Sequence, residues 1–144
     1  MSIIFKLPKD IPTTVSIIKV NCEGKFYIAK VSNIDWFEKE LQKTYGKYIR
    51  IGIPESNLYY PLIKHLYKQD RPKVSIEVLY TSDNGYKLLK FELEQLQEHF
   101  GKKDCLNLNN IPYIPKTVVA KTGSNWLTQN QALNFRKLLT KYDY

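Results

Sequence analysis

Apolar residues along this chain recur with two different periods, and the switches between them mark its elements. Over 14–31, the runs Ser16-Ile17-Ile18-Lys19-Val20 and Phe26-Tyr27-Ile28-Ala29 flank Cys22-Glu23-Gly24-Lys25, a turn-prone break whose glycine can take positive φ. A tight β-hairpin is predicted. The period then lengthens: Ile34, Phe37, Leu41 and Tyr45 recur at three or four residues, a core-facing helical stripe that Ser32 or Asn33 can cap and Gly46 can stop. Residues 48–53 read as extended or irregular, ended by Pro54. A second helix is expected over 57–68 with Leu58, Leu62, Ile63 and Leu66 inward. Its start must place Pro61 in the first turn, the one place where proline is tolerated. After Arg71-Pro72, the residues Val74, Ile76, Val78 and Tyr80 alternate with Ser75, Glu77 and Leu79, the pattern of a half-buried strand. Ser82-Asp83-Asn84-Gly85 reads as a turn and 86–100 as a strong helix ended by Gly101. A polar, asparagine-rich loop over 102–115 follows, and a last helix over 128–141 carries Ala132, Leu133, Phe135, Leu138 and Leu139.

The order β-β-α-α-β-α predicts an α+β fold: a small three-stranded mixed or antiparallel sheet flanked by helices, with an extra C-terminal helix. It divides the chain into an N-terminal extension over 1–13 containing Pro8 and Pro12, a core over 14–110 and a C-terminal extension over 111–144. A chain of 144 residues suffices for one domain with a single core. Charge changes the picture more than composition does. Lys and Arg number 22 against 14 Asp and Glu, a net +8, which favours a polyanion such as nucleic acid or an acidic protein surface. The abundance of Lys, Asn, Ile and Tyr offers a competing explanation in which the lysines are simply solvated. Cys22 and Cys105 are the only cysteines, His65 and His99 the only histidines, and their spacing is that of neither a disulfide framework nor a zinc site. No run of about eighteen apolar residues occurs and the first nine residues lack a signal-peptide core. The expectation is a soluble protein of a virion or of the host cytoplasm, not secreted and without membrane contact.

Glu92 is the residue with the most chemistry in its placement. On the predicted 86–100 helix the apolar stripe is Leu89, Leu93, Leu96 and Phe100, and Glu92 stands three residues after Leu89 and four before Leu96, on the inward side. Glu94 and Glu98 point elsewhere. An inward carboxylate is costly unless it is paired, hydrogen-bonded or bound to a metal. The plainer alternatives are a stripe-edge head group that reaches water, or a pair with a lysine.

Ser16-Ile17-Ile18 and Tyr27-Ile28-Ala29, on two short strands closed by a turn, resemble the opening of a GIY-YIG endonuclease domain. Leu88-Leu89-Lys90-Phe91-Glu92 followed by Leu96 is similar to that family's metal-holding helix, and Asn107 stands where the family closes its site. Asn57-Leu58 with Leu62-Ile63-Lys64-His65-Leu66-Tyr67 resembles its middle helix. The resemblance makes 14–110 the GIY-YIG-like core. It implies Tyr27, Glu92 and Asn107 as remnants of a catalytic face, with Glu92 the ligand of Mg²⁺ or Mn²⁺ if the site is active. Against the family pattern, Ile18 stands at the first-strand tyrosine, Ala29 at a motif glycine, and Phe37, with Leu41 one turn on, at the helix arginine. Lys39 and Lys43 lie on another face and offer no bidentate fork. Losing one transition-state contact typically costs about two to three orders of magnitude in rate. The expectation is therefore a catalytically inactive domain without a cofactor, acting as a structural or binding module, an auxiliary (decoration) protein of a bacteriophage capsid with other subunits as partners and nucleic acid as a further possible one. The alternatives are a divergent active metal-dependent endonuclease, with Arg50 or another cation and a different tyrosine as replacements, and a nucleic-acid-binding protein without catalysis.

Overall fold

The computed structural model describes residues 3–108 together with Leu133 and Lys137. Its elements are β1 (Ile4–Lys6), β2 (Ser16–Cys22), β3 (Lys25–Val31), α1 (Ile34–Ile51), α2 (Tyr60–Tyr67), β4 (Lys73–Thr81) and α3 (Gly85–His99). The fold is α+β, with a mixed sheet in the order β1-β4-β2-β3. The β2–β3 hairpin keeps unbroken antiparallel register from Ser16 opposite Val31 to Cys22 opposite Lys25. Glu23 and Gly24 close it at φ 44° and 80°, the double positive φ of a type I′ turn, whose twist matches that of the flanking strands. β4 lies antiparallel against the other side of β2, with a register shift between Ile17 and Ile18.

Strand alternation gives the sheet two buried faces. Ile18, Val20 and Cys22 of β2 join Tyr27, Ala29 and Val31 of β3 in one core with Phe37, Leu41 and Tyr45 of α1 and Leu62, Ile63 and Leu66 of α2. Ile17, Phe26 and Ile28 pack on the opposite face against Leu88 and Leu96 of α3. Two apolar sides explain why β2 and β3 read as near-continuous hydrophobic runs rather than as alternating strands.

Several expectations need correction. The sheet has four strands, not three: Ile4–Lys6, expected inside an extension, adds parallel to β4 in the register Ile4–Lys73 to Lys6–Ser75. Its anchor is Gln42 of α1, whose Nε2 donates to the Ile3 carbonyl at 2.6 Å while its Oε1 accepts from the Ile3 N–H at 2.9 Å. Helix α1 passes through Gly46 and ends at Ile51, so 48–51 is helical and not extended. The apolar stripe continues to Tyr48, which packs on the core, and outweighs the roughly 1 kcal/mol by which a mid-helix glycine disfavours the helix. Gly52 is the true stop: at φ 83° its N–H returns to the carbonyls of Lys47 and Tyr48. Helix α2 starts at Tyr60, later than expected, because Asn57 forms a turn of its own in which its Oδ1 accepts from the Tyr59 N–H. Pro61 falls in the first turn, as its chemistry requires. On α3 the buried residues are Leu88, Leu89, Glu92, Leu93 and Leu96, while Phe100, expected in the stripe, is 43% exposed beyond the helix end. The expected loop beyond Leu108 and the last helix over 128–141 lie outside the described residues, except that Leu133 and Lys137 are helical and exposed. Among the described residues no helix is long and apolar enough to cross a membrane.

Candidate functional site

Strand β3 is one of the two edges of the sheet, and its outward-pointing backbone groups need partners. The segment after α3 supplies them. The Phe26 N–H donates to the Asp104 carbonyl and the Leu106 N–H donates to the Phe26 carbonyl, each at 2.8 Å. Asn107 then takes the next pair with one side chain: its Oδ1 accepts from the Ile28 N–H and its Nδ2 donates to the Ile28 carbonyl, both at 2.9 Å. A primary amide matches the donor and acceptor of a strand residue, so Asn107 extends the ladder where the chain leaves it. The Cys105 thiol also donates to its Oδ1, at 3.4 Å.

Above this edge a cleft of about 350 Å³ opens between the turn before α2 and helix α3, and Tyr27, Ala29, Lys30, Tyr59, Glu92 and Asn107 all line it. The structure thus brings the three expected remnants into one place. Tyr27 lies with the α1–α2 core and is 5% exposed; its hydroxyl donates to the carbonyl of Leu58, in the segment before α2, at 2.9 Å. Burial, followed by the neighbouring Tyr59 and Glu92, raises its phenol well above the ordinary value. Asn107 has both amide atoms engaged by Ile28, so in this arrangement it builds the site's wall.

Glu92 sits on the buried side of α3, as its position between Leu89 and Leu96 predicts, with 6% exposure. Its Oε1 is buried without a hydrogen-bond partner. Removal from water pushes the carboxyl up to about 7, and the nearby Lys30 ammonium holds it from rising further. Lys30 is displaced in the opposite sense: burial lowers it, and the Glu92 charge opposes that shift. Of the two structural alternatives for Glu92, the lysine neighbour is real, while the side chain, though it lines the cleft, is almost wholly withdrawn from solvent.

The positions where the family pattern carries other groups are core. Ile18 and Phe37 are each 0% exposed, and Ala29 is 7% exposed. Phe37 stacks edge-on to Tyr59 with ring centroids 5.5 Å apart, and Tyr59 in turn meets Tyr27 at 6.5 Å. Leu41 is also fully buried, whereas Lys39, Lys43 and Arg50 are exposed and line no part of this cleft. The two histidines stand apart on different contacts: His65 Nε2 lies 3.0 Å from the Cys22 carbonyl oxygen, and the His99 ring packs on Phe26.

Sequence reasoning missed Lys30 and Tyr59. Lys30 was legible in principle, because strand alternation from Ile28 places it on the α3 face beside Glu92. Tyr59 precedes a helix whose start was misplaced, so nothing in its local pattern aimed it at the cleft.

A divalent ion fits this donor set only in a limited way. Among the described residues no group of three or more His, Cys, Asp or Glu side chains could hold a metal. Glu92 would be the principal ligand through its unpartnered oxygen, an arrangement open to a water-rich Mg²⁺ that also takes oxygens from a phosphate. A carboxyl that titrates near 7 makes a proton compete with the ion at neutral pH. Comparison with protein-family models, curated proteins and solved structures returns no match for this chain.

Proposed function

We propose that this chain is a catalytically inactive domain of GIY-YIG-like layout that serves as a structural or binding module, with an auxiliary place on a bacteriophage capsid as its setting. The observation that carries the reading is the complete burial of Ile18 and Phe37. Phosphodiester cleavage needs a group to activate water and a cation beside the developing charge. A phenol at position 18 would have to displace packed core, and a guanidinium at position 37 would be desolvated beneath the Tyr59 ring. The Tyr27 hydroxyl is already committed to a backbone carbonyl. What remains is a cleft suited to holding a group rather than transforming it.

Support for an assembly role comes from the surface. Trp36, Leu58, Ile51 and Tyr67 are between 47% and 70% exposed, large apolar side chains that a neighbouring subunit would cover in an assembly. The divergent-nuclease alternative draws on the unpartnered Glu92 Oε1 and on Tyr59 in the cleft wall, but Arg50 stands exposed in the last turn of α1, away from it. Incubation with supercoiled plasmid and Mg²⁺ or Mn²⁺ is expected to leave the plasmid intact; nicking that Glu92→Ala abolishes would overturn the inactive reading. Protein analysis of purified virions from the chain's source is expected to find it in many copies per particle. Its presence only in the soluble fraction of infected cells would remove the capsid setting.

A further inference from the structure

Helix α3 covers only part of its face of the sheet. It packs over Ile17, Phe26 and Ile28, and at the far end of that face the side chains of Ile4, Lys6 and Lys73 stand exposed. The register there is informative. Lys6 of β1 is paired with Ser75 of β4, which is paired in turn with Asn21 of β2, so these three form one polar row across three strands. Paired residues share a face, and so do residues two apart on a strand. Lys73 therefore lies beside Ser75, and Lys19 beside Asn21, on the same surface. Three ammonium groups surround a hydroxyl and an amide, on strands roughly 4.8 Å apart.

These residues line an open cleft of about 570 Å³, separate from the Glu92 cleft, to which the hairpin end adds Lys25. The opposing charges are Glu23 and Asp104 on its rim and Glu77, paired with Lys19 in the sheet. Four lysines against these three carboxylates leave the cleft net positive, in line with the sign of the chain's net +8.

We propose that this end of the α3 face, left open among the described residues, binds the sugar–phosphate backbone of a nucleic-acid duplex without regard to sequence. Lysines are point charges suited to phosphate, and the serine and asparagine side chains add neutral hydrogen-bond donors of the kind that accompany them. A protein partner fits less well, because lysine is depleted from the cores of protein interfaces, where aromatic residues gather. A single strand fits less well too. It needs aromatic platforms on which bases stack, and neither aromatic ring lining this cleft offers one: Phe5 packs against the core on the α1–α2 face, and Phe26 is 8% exposed and already taken by Lys19 on one side, 4.6 Å from its centroid, and by His99. The proposal does not depend on the Glu92 cleft being inactive, since the two surfaces share neither lysines nor carboxylates.

The test is fluorescence anisotropy of a labelled mixed-sequence DNA duplex titrated with the full chain at several salt concentrations. Lys6→Gln/Lys73→Gln is compared with Lys39→Gln/Lys43→Gln, an equal loss of charge on α1, which packs on the other face. Both pairs are exposed, and unchanged thermal midpoints confirm that the variants fold. The sheet pair is expected to weaken binding about tenfold or more at moderate salt and to reduce the slope of log K against log salt by about 2, with the α1 pair near wild type. Four results would overturn the proposal: no binding at low salt, equal losses from both pairs, tighter binding of a single strand than of the duplex, or displacement by polyglutamate as effective, charge for charge, as by unlabelled duplex.

Discussion

Replacing Glu92 by glutamine keeps the shape of the side chain and removes its titration. In the folded chain this carboxyl stands at about 7 against the usual 4.5, because burial penalises its charged form more than Lys30 favours it. The folded state therefore holds its proton more tightly than the unfolded chain does. Stability from this source is fully present below about pH 4.5 and is lost as pH rises through 7. At 1.36 kcal/mol per pH unit, the interval is worth about 3 kcal/mol. Glu92→Gln mimics the protonated side chain at every pH, so it should match wild type at about pH 4.5 and below and exceed it by about 3 kcal/mol above pH 7. For a chain of this size that difference corresponds to roughly 10 °C in thermal midpoint. Paired urea titrations of wild type and Glu92→Gln across this pH range provide the assay. Parallel curves, or a wild type more stable than Glu92→Gln at alkaline pH, would refute the reasoning. Parallel curves would mean that burial leaves the carboxyl's titration unchanged, and a more stable wild type would mean that Glu92 and Lys30 form a stabilising ion pair in which the carboxyl is held ionised.

Other parts of the fold make separate predictions. Asn107→Ala leaves the Ile28 N–H and carbonyl without their partners and should cost about 1–3 kcal/mol, with faster hydrogen exchange at the Ile28 amide. Phe37→Ala should cost about 3–5 kcal/mol by denaturant titration. Phe37→Arg, which introduces the cation of the GIY-YIG pattern, should give no cleavage and lose the cooperative melt seen by circular dichroism, because it buries an unpaired charge. Gln42→Ala should release Ile3 and fray β1, read as faster proteolysis at the N-terminal end with the rest of the domain intact.

How much of this was legible in the chain depended on whether the deciding interactions were local. The hairpin, the Asn33 cap and the inward placement of Glu92 follow from turn chemistry and from spacing within single elements. Strand β1 did not, because three residues acquire a strand only by pairing with β4, roughly seventy positions away, and by the Gln42 clip. The passage of α1 through Gly46 was hidden for a related reason: Tyr48 packs on the core, and that tertiary gain outweighs the glycine's own preference. At the cleft, the family resemblance implied that Tyr27, Glu92 and Asn107 belong together, but it could not assign Asn107 its work on the Ile28 backbone. Nor could it show that the Tyr27 hydroxyl is spent on Leu58. Those partners come from the capping of a sheet edge, which has no local signature.

A non-cleaving cleft is tested most directly by single-turnover incubation of supercoiled plasmid with the protein in excess, with Mg²⁺ or Mn²⁺, at a pH above the titration of Glu92 so that its carboxylate is ionised. Wild type and Glu92→Gln are predicted to give the same background level of nicked product. Nicking by wild type that Glu92→Gln removes would contradict the reading and make Glu92 a working metal ligand.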